Sequence, residues 1–237
     1  VIVVLYPQGD AKLYHTIEWN VSQGTMGAFY FEGEAFKPQW SEKECFLDAN
    51  NKRYPLDITF LGGNNKYDIV LANGQRYSGK GHYFLTYMGN FAQSGLVGFT
   101  NSPEHGDLVY FSWSPVQWDS SLTYRAVRLV LPVIVSQEKI SEEDKALFRK
   151  TMLTEPHVNK ENKIDYYGTP NGQGDYFLTV LFYQENPRAY QKQHLQLYFP
   201  TKFLNMKLPQ GTKTIQKKKK GESEKEEEES SNNSTQY

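Results

Sequence analysis

The sequence predicts an all-β fold, an antiparallel β-sandwich with one short helix and a disordered C-terminal tail. Aromatic residues make up 15% of the 237 residues, mostly Tyr and Phe, which favour the half-buried faces of sheets. Short segments with alternating apolar and polar residues recur along the chain, and Gly, Asn, Asp or Pro separate them. Because little helical periodicity lies between these segments, they indicate antiparallel strands rather than a parallel sheet with crossover helices.

The alternating segments place the strands in order. Residues 11–19 are the first clear example, with one face made of Leu13, His15, Ile17 and Trp19. Further strands are predicted where the same alternation returns, in HYFLTYMG, DLVYFSW, YRAVRLVLPV, DYFLTVLFY and HLQLYFP. Asn73-Gly74 separates two apolar runs, and this dipeptide favours the two-residue turn of a β-hairpin.

One helix and one tail complete the predicted chain. The helix is expected in SEEDKALFRKTML, where Ser141 is the N-cap and Asp144 follows three residues later, a variant of the capping box. From about Gly211 the chain consists mostly of Lys, Glu, Ser and Asn, so residues 211–237 are predicted to be disordered. The sandwich domain is then residues 1–210, with two packed halves, 1–133 and 134–210, as an open alternative.

The stretch YFSWSPVQW holds two of the four tryptophans. Pro115 cannot donate a hydrogen bond to a sheet ladder, so the strand that ends at Trp113 must break there. Because tryptophan is highly buried on average, Trp113, Pro115 and Trp118 are predicted to be structural core residues at one end of the sandwich. The alternative is exposed stacking on a ligand such as a sugar, for which Trp19 and Trp40 are the further candidates.

Composition and motifs give no positive signal for a cofactor, a metal or a catalytic centre. The formal net charge is −1 and the only dense basic run is residues 217–220, which argues against a nucleic-acid partner. Cys45 is the single cysteine, and the five histidines lack the close spacing of metal ligands. Neither a Gly-x-Ser-x-Gly motif nor a phosphate-binding glycine loop occurs. We therefore expect no catalytic, cofactor-binding or metal-binding residues, and an enzyme is the less favoured class.

Three sequons allow N-glycosylation if the chain enters a eukaryotic secretory lumen. Their acceptor residues are Asn20, Asn232 and Asn233, and the last two lie in the predicted tail. The pattern is short and often arises by chance, so it carries weight only together with evidence of secretion.

The order of several segments resembles a known family. VIVVLYPQGDAKLYHTIEWN is followed by GHYFLTYMG, by the stretch from Trp113 to Pro132, by a YYGTPNG turn and by LQLYFPTKF. In this order the chain is similar, over about residues 1–208, to the amino-terminal domain of YciQ-type predicted membrane proteins, a domain of unknown function. The resemblance implies an extracytoplasmic all-β domain tethered by transmembrane helices, with no established activity. Here a charged tail follows Phe203, so membrane contact is expected only through a segment absent from this chain.

Three functions remain open on the sequence alone. The leading hypothesis is a non-catalytic, extracytoplasmic β-sandwich module of a membrane-associated protein that acts by protein–protein interaction. The first alternative is a carbohydrate-binding module that uses surface Trp and Tyr side chains. The second is a hydrolase whose carboxylates come together only in the folded chain.

Overall fold

The computed structural model of the chain describes residues 1–201 and 206–210, together with the backbone of residues 214–216. Strands dominate this part of the chain and form two sheets. Helix is confined, within the described residues, to two short α-helices and two 3₁₀ turns. The predicted all-β class is therefore confirmed.

The strands, numbered along the chain, are β1 (Ile2–Leu5), β2 (Asp10–Met26), β3 (Ala28–Phe31), β4 (Gln39–Trp40), β5 (Phe46–Ala49), β6 (Lys52–Gly62), β7 (Lys66–Leu71), β8 (Tyr77–Asn90), β9 (Val97–Ser102), β10 (Gly106–Trp113), β11 (Tyr124–Val135), β12 (Leu153–Thr154), β13 (Lys163–Pro170), β14 (Tyr176–Glu185), β15 (Leu195–Pro200) and β16 (Thr214–Gln216). The α-helices are α1 (Glu142–Thr151) and α2 (Pro156–Glu161), and the 3₁₀ turns are Glu42–Glu44 and Ala72–Gly74.

The larger sheet has eleven strands in the order β13-β14-β11-β1-β2-β8-β5-β6-β7-β3, with β4 paired to β8. Its neighbours are antiparallel, except that β1 is parallel to β11 while it is antiparallel to β2. In the middle of β1, Val3 lies opposite Leu13 on one side and Leu129 on the other. The short β1 thus joins the two halves of the sheet, and both β2 and β11 extend past its amino-terminal end.

The smaller sheet has the order β12-β15-β10-β9-β16, and only β16 and β9 are parallel among its pairs. One face of this sheet packs against the larger sheet and shares its main core. The core residues from the smaller sheet are Val97, Val109, Phe111, Trp113, Leu195, Leu197 and Phe199. Its other face carries a small separate cluster, made of Leu108, Tyr110 and Tyr198 with Leu153 packed against it. Two sheets that share one core are the architecture of a sandwich.

The β-hairpin predicted at Asn73-Gly74 is wrong, although the turn itself is present. Both residues have positive φ, 60° and 65°, as a type I′ turn requires. The flanking strands β7 and β8 do not pair with each other, however, because β7 pairs with β6 and β3. The hairpin turn lies instead at residues 62–65, between β6 and β7. Local turn chemistry marks where the chain bends, whereas burial across the sheet decides which strands become neighbours.

The predicted capping of α1 is confirmed. The hydroxyl of Ser141 accepts a hydrogen bond from the backbone N–H of Asp144 at 3.1 Å and donates to its carboxylate at 2.8 Å. The sequence analysis does not predict α2, which has Pro156 in its first turn, where the missing N–H of proline leaves no helical hydrogen bond unmade.

Strands from both sides of residue 133 pair within each sheet, since β11 pairs with β14 and β10 pairs with β15. The main core likewise draws on residues from both sides. The tail predicted for residues 211–237 lies outside the described residues, apart from β16. No helix in the described part of the chain is long and apolar enough to cross a bilayer.

Trp113 ends β10 in the core, where its side chain is 1% exposed. Its indole N–H donates to a carboxylate oxygen of Glu34 at 3.2 Å, and its ring lies 6.2 Å from that of Phe91. Pro115 is buried beside it, and Trp118 is half-buried against the core. The break after Trp113 therefore lies inside the sandwich.

Replacing Trp113 with Ala should lower the free energy of unfolding by about 3–5 kcal/mol, the usual cost of deleting a buried aromatic side chain. We expect the upper part of this range, because Glu34 also loses its indole donor. Urea denaturation measures the change. The control is Ile134→Ala, because Ile134 is 66% exposed and its truncation should cost less than about 0.5 kcal/mol. A loss below about 1 kcal/mol for Trp113→Ala would contradict the core role.

Candidate functional site

A cleft of about 410 Å³ lies at the amino-terminal end of β1, between β2 and β11. The backbone nitrogen of Val1, the residue before β1, donates to the carbonyl of Ala126 on β11 at 2.7 Å. Thr16, Ile17 and Glu18 of β2 and Tyr124 of β11 line the cleft beyond this bond.

The segment between β10 and β11 forms one wall of the cleft. Pro115, Val116 and Trp118 line it. The Trp118 ring packs edge-to-face against Trp19 at 6.0 Å and lies at a tilt to Phe29 at 6.1 Å. The indole is therefore held as part of the wall by other aromatic rings.

A buried cation lies beside the cleft. Arg125 lines it and is 7% exposed, with hydrogen bonds from its guanidinium to the Gln184 side chain at 2.7 Å and to the Gln191 carbonyl at 3.0 Å. Burial lowers the pKa of Arg125 to about 10. Its Nε is buried without a hydrogen-bond partner among the described residues. A desolvated guanidinium held by neutral acceptors favours an incoming carboxylate.

The opposite rim of the cleft carries a small charged cluster. The carboxylate of Glu18 lies 2.9 Å from the ammonium of Lys80 and 3.1 Å from Nε2 of His82. Hydrogen bonds from these two groups lower the pKa of Glu18. All three side chains are exposed, so they affect the charge of the rim more than the stability of the fold.

A buried polar network lies behind the cleft. His15 lines the cleft, and its Nε2 lies 2.8 Å from the hydroxyl of Tyr87. The Tyr87 hydroxyl donates to one carboxyl oxygen of Glu34, whose other oxygen accepts from Trp113. Glu34 is 1% exposed and His15 is 2% exposed. The chain of hydrogen bonds runs from the core to the wall of the cleft.

Burial sets the protonation of this network. It raises the pKa of Glu34 to about 7, although the hydrogen bonds from Tyr87 and Trp113 oppose the shift. Burial also lowers the pKa of His15 well below its ordinary value, so the imidazole is neutral. When Glu34 gains a proton, its O–H can donate to Tyr87 while the Tyr87 O–H donates to Nε2 of neutral His15. The network can therefore take up a proton while the Tyr87 hydroxyl keeps its hydrogen bonds to both Glu34 and His15.

A second polar cluster joins β10, β15 and α2. Nδ1 of His194 lies 2.9 Å from the hydroxyl of Ser114, and its Nε2 lies 3.4 Å from that of Ser112. The ring of His157 stacks on His194 at 5.7 Å. A serine beside a histidine is the geometry of an activated nucleophile, but none of these side chains belongs to the cleft lining.

The structure separates the tryptophans proposed for ligand stacking. Trp19 packs against Phe29 and against Trp118, and of these three only Trp118 belongs to the cleft lining. Trp40 is half-buried among aromatic rings, with Tyr87 at 4.8 Å and Tyr67 at 5.2 Å. Both Trp19 and Trp40 are half-buried and packed against other aromatic rings, so neither has a fully exposed ring face.

One of the three proposed glycosylation sites, Asn20, lies within the described residues. Asn20 is exposed on β2, so its side chain is accessible to solvent. Asn232 and Asn233 lie outside the described residues. Within the described residues, no group of three or more His, Cys, Asp or Glu side chains is placed to hold a metal ion.

Sequence reasoning missed Glu34 and Arg125, and also the pairing of Ser114 with His194. Glu34 lies in FEGEAF, a segment without a strand or helix period, and Arg125 lies in a strand where an arginine is ordinarily exposed. Their roles arise from partners distant in sequence, for which no local motif exists.

No protein-family model matches the chain, and no curated protein matches its sequence. The resemblance to YciQ-type domains therefore stays a prediction.

Glu34 should make the stability of the fold depend on pH in a direction that its pKa determines. Its pKa is about 7 when folded and 4.5 ordinarily. The folded state thus keeps a proton that the unfolded state loses within this window, and the contribution of Glu34 to stability falls as the pH rises from 4.5 to 7. Glu34→Gln should remove this loss, so the stability of the wild type relative to the variant should fall by roughly 2–3 kcal/mol between about pH 5 and about pH 8.

Urea denaturation of both proteins at the two pH values gives this difference, and the contributions of His15 and other groups largely cancel. The control is Glu42→Gln, which replaces an exposed carboxyl and should show no such trend. A pH-independent difference between the wild type and Glu34→Gln would contradict the raised pKa.

Proposed function

We propose that the protein is a non-catalytic β-sandwich module that binds an extended polypeptide segment of a protein partner in the cleft between β2 and β11. The observation that carries this proposal is the buried guanidinium of Arg125 in the wall of the cleft, whose Nε has no hydrogen-bond partner among the described residues. A carboxylate carried by a polypeptide segment would pair with this group.

The charges around the cleft favour a segment with an acidic side chain. Arg125 lies buried at the cleft without a carboxylate among its hydrogen-bond partners. Arg128 is exposed and also lines the cleft. An acidic group of the bound segment would reach one or both guanidinium groups, which supports binding and fixes its register.

The buried groups support a binding role over a catalytic one. Glu34 and His15 are almost fully buried, and the two hydrogen-bond donors to Glu34 are a tyrosine and a tryptophan. A glycosidase-type site needs two carboxyl groups in reach of a bound sugar, whereas Glu18 is the only carboxyl side chain among the described residues that line the cleft. The hydrolase alternative therefore has less support than the binding module.

A carbohydrate-binding module is the second candidate, because Trp118 and Tyr124 both line the cleft. Tyr124 is 57% exposed and stacks on Tyr183 at 6.0 Å. The Trp118 ring is engaged by other aromatic rings, which leaves less surface for sugar stacking. Titration with neutral oligosaccharides tests this candidate. A carbohydrate-binding module should bind them, and Tyr124→Ala should abolish that binding.

We further propose that the module works outside the cytoplasm as part of a membrane-associated protein. The exposed position of Asn20 in a sequon supports this setting, as does the resemblance to YciQ-type domains.

The proposed site predicts a specific pattern of peptide binding. Acidic peptides of about ten residues, selected from a random library on the intact chain, should bind it with micromolar affinity. Arg128→Gln removes an exposed guanidinium that lines the cleft. It should weaken peptide binding at least about fivefold, because hydrogen bonds between charged groups are the stronger ones, as measured by fluorescence anisotropy.

The matched control is Arg188→Gln, which removes an exposed arginine outside the cleft lining and should bind like the unmodified chain. Equal binding by Arg128→Gln and Arg188→Gln would place the peptides elsewhere and contradict the proposal. Failure to select any peptide above background would also count against it.

The extracytoplasmic proposal predicts a glycan on Asn20 in the native protein. Glycosidase treatment should lower the intact mass of the wild type. The Asn20→Gln variant should lose less mass, by the mass of the glycan on Asn20. An unmodified Asn20 in protein isolated from a eukaryotic source would remove this support for a secretory location.

A further inference from the structure

We infer that Gln184 makes the subsite around Arg125 specific for a carboxylate and against the amide of the same shape. Gln184 contacts Arg125 inside the sandwich and does not line the cleft, so it is a positioning residue. The inference rests on the proposed function for the source of the carboxylate, which is a side chain of the bound segment. It adds the chemical class that the cleft selects, an Asp or Glu in preference to an Asn or Gln.

Two neighbouring strands bring these side chains together. Arg125 on β11 lies directly opposite Gln184 on β14, so both side chains lie on the same face of the larger sheet. Nη2 of Arg125 donates to the side-chain oxygen of Gln184 at 2.7 Å, and Nη1 donates to the Gln191 carbonyl at 3.0 Å. Arg125 is 7% exposed and Gln184 is 4% exposed. The guanidinium is therefore fixed at the wall of the cleft by neutral acceptors.

The positive charge of Arg125 has no carboxylate partner among the described residues. Ion pairs are found there for Arg53 and Arg149, but not for Arg125. Burial lowers the pKa of Arg125 to about 10, and the charge of Glu161, an exposed residue at the end of α2, opposes this shift. The guanidinium is thus charged at neutral pH, and a negative group from a ligand would balance it.

Two donors at this point lack an acceptor among the described residues. Nε of Arg125 is buried without a hydrogen-bond partner, and so is the side-chain nitrogen of Gln184. Both groups donate hydrogen bonds and neither accepts them. The subsite therefore offers donors together with a positive charge. A carboxylate matches this combination, because both of its oxygens accept hydrogen bonds and it carries the opposite charge.

An amide side chain of the same shape matches the subsite poorly. Its oxygen can accept a hydrogen bond, but its NH₂ group faces a donor and it brings no charge to balance the guanidinium. A buried donor that is left unpaired costs the free energy of its desolvation. Sites built around such polar groups discriminate strongly against analogues that cannot pair with them. The subsite should therefore distinguish Glu from Gln in a bound segment.

Gln184 keeps this subsite available because it is neutral. A carboxylate at position 184 has the same shape and would accept from Nη2 of Arg125 as the amide oxygen does now. Its second oxygen can also accept from Nε, as in a bidentate pair. The charge of Arg125 would then be balanced within the protein, and the new carboxylate would repel one carried by a ligand. Gln184→Glu should therefore close the subsite without changing its shape.

A double-mutant cycle between protein and peptide tests the inference. The probes are acidic peptides selected on the intact chain, in which each Asp or Glu is replaced in turn by Asn or Gln. One of these replacements should weaken binding to the wild type about tenfold or more, as measured by fluorescence anisotropy. Gln184→Glu should bind the parent peptide about as weakly, and the same replacement should then change the affinity less than about twofold.

The matched control is Gln117→Glu. This residue is exposed between Val116 and Trp118, which line the cleft, so the variant adds a carboxylate nearby and should keep the discrimination between the two peptides. A thermal melt verifies that each variant is folded. If Arg128→Gln weakens peptide binding but every acid-to-amide replacement is tolerated, or Gln184→Glu still discriminates, the inference is wrong while the proposed function stands.

A second measurement works without a selected peptide. The capped residues N-acetyl-Glu-methylamide and N-acetyl-Gln-methylamide are titrated into protein that carries isotope-labelled arginine. The NMR signal of the Arg125 Nε–H should shift with the Glu compound only, and with neither compound in Gln184→Glu. If no peptide can be selected, this shift would support the carboxylate subsite although the proposed peptide binding fails. The same response to both compounds, or no response of the wild type, would overturn the inference.

Discussion

The buried carboxyl of Glu34 connects the two sheets. Tyr87, which donates to one oxygen, belongs to the larger sheet, and Trp113, which donates to the other, ends a strand of the smaller sheet. A buried carboxyl without such donors would cost several kcal/mol, so the inward turn of the segment after β3 depends on the donors from both strands. The apolar core supplies most of the stability, while this contact helps to specify how the sheets lie against each other.

The segment that carries Glu34 also shapes its surroundings. Phe36 packs against Gly89 so closely that a Cβ at this position would overlap its ring, which explains why β8 has glycine there. The backbone carbonyl of Glu34 accepts from Asn65 in the hairpin turn, while its carboxyl reaches His15 through Tyr87. One irregular segment thus contacts the core, the wall of the cleft and the projecting hairpin.

Local chemistry allowed the strand-rich class and the cap of α1 at Ser141 to be predicted, because alternation and capping act over a few residues. The Asn73-Gly74 turn was located, but its strands were paired wrongly, since pairing depends on burial across the whole sheet. The network around Glu34 joins residues 53 and 79 positions apart in sequence. No periodicity records such distances, so the buried carboxyl and the cleft beside it emerge only from the fold.

The cleft and the β6–β7 hairpin lie on the same sheet, three strands apart. The segment with Glu34 contacts both, through the hydrogen bond from Asn65 and through the chain from its carboxyl to Tyr87 and His15. His15 lines the cleft in which we propose that a partner segment binds. Because hydrogen bonds in such a chain influence one another, the protonation of the buried carboxyl is coupled to the wall of the proposed binding site.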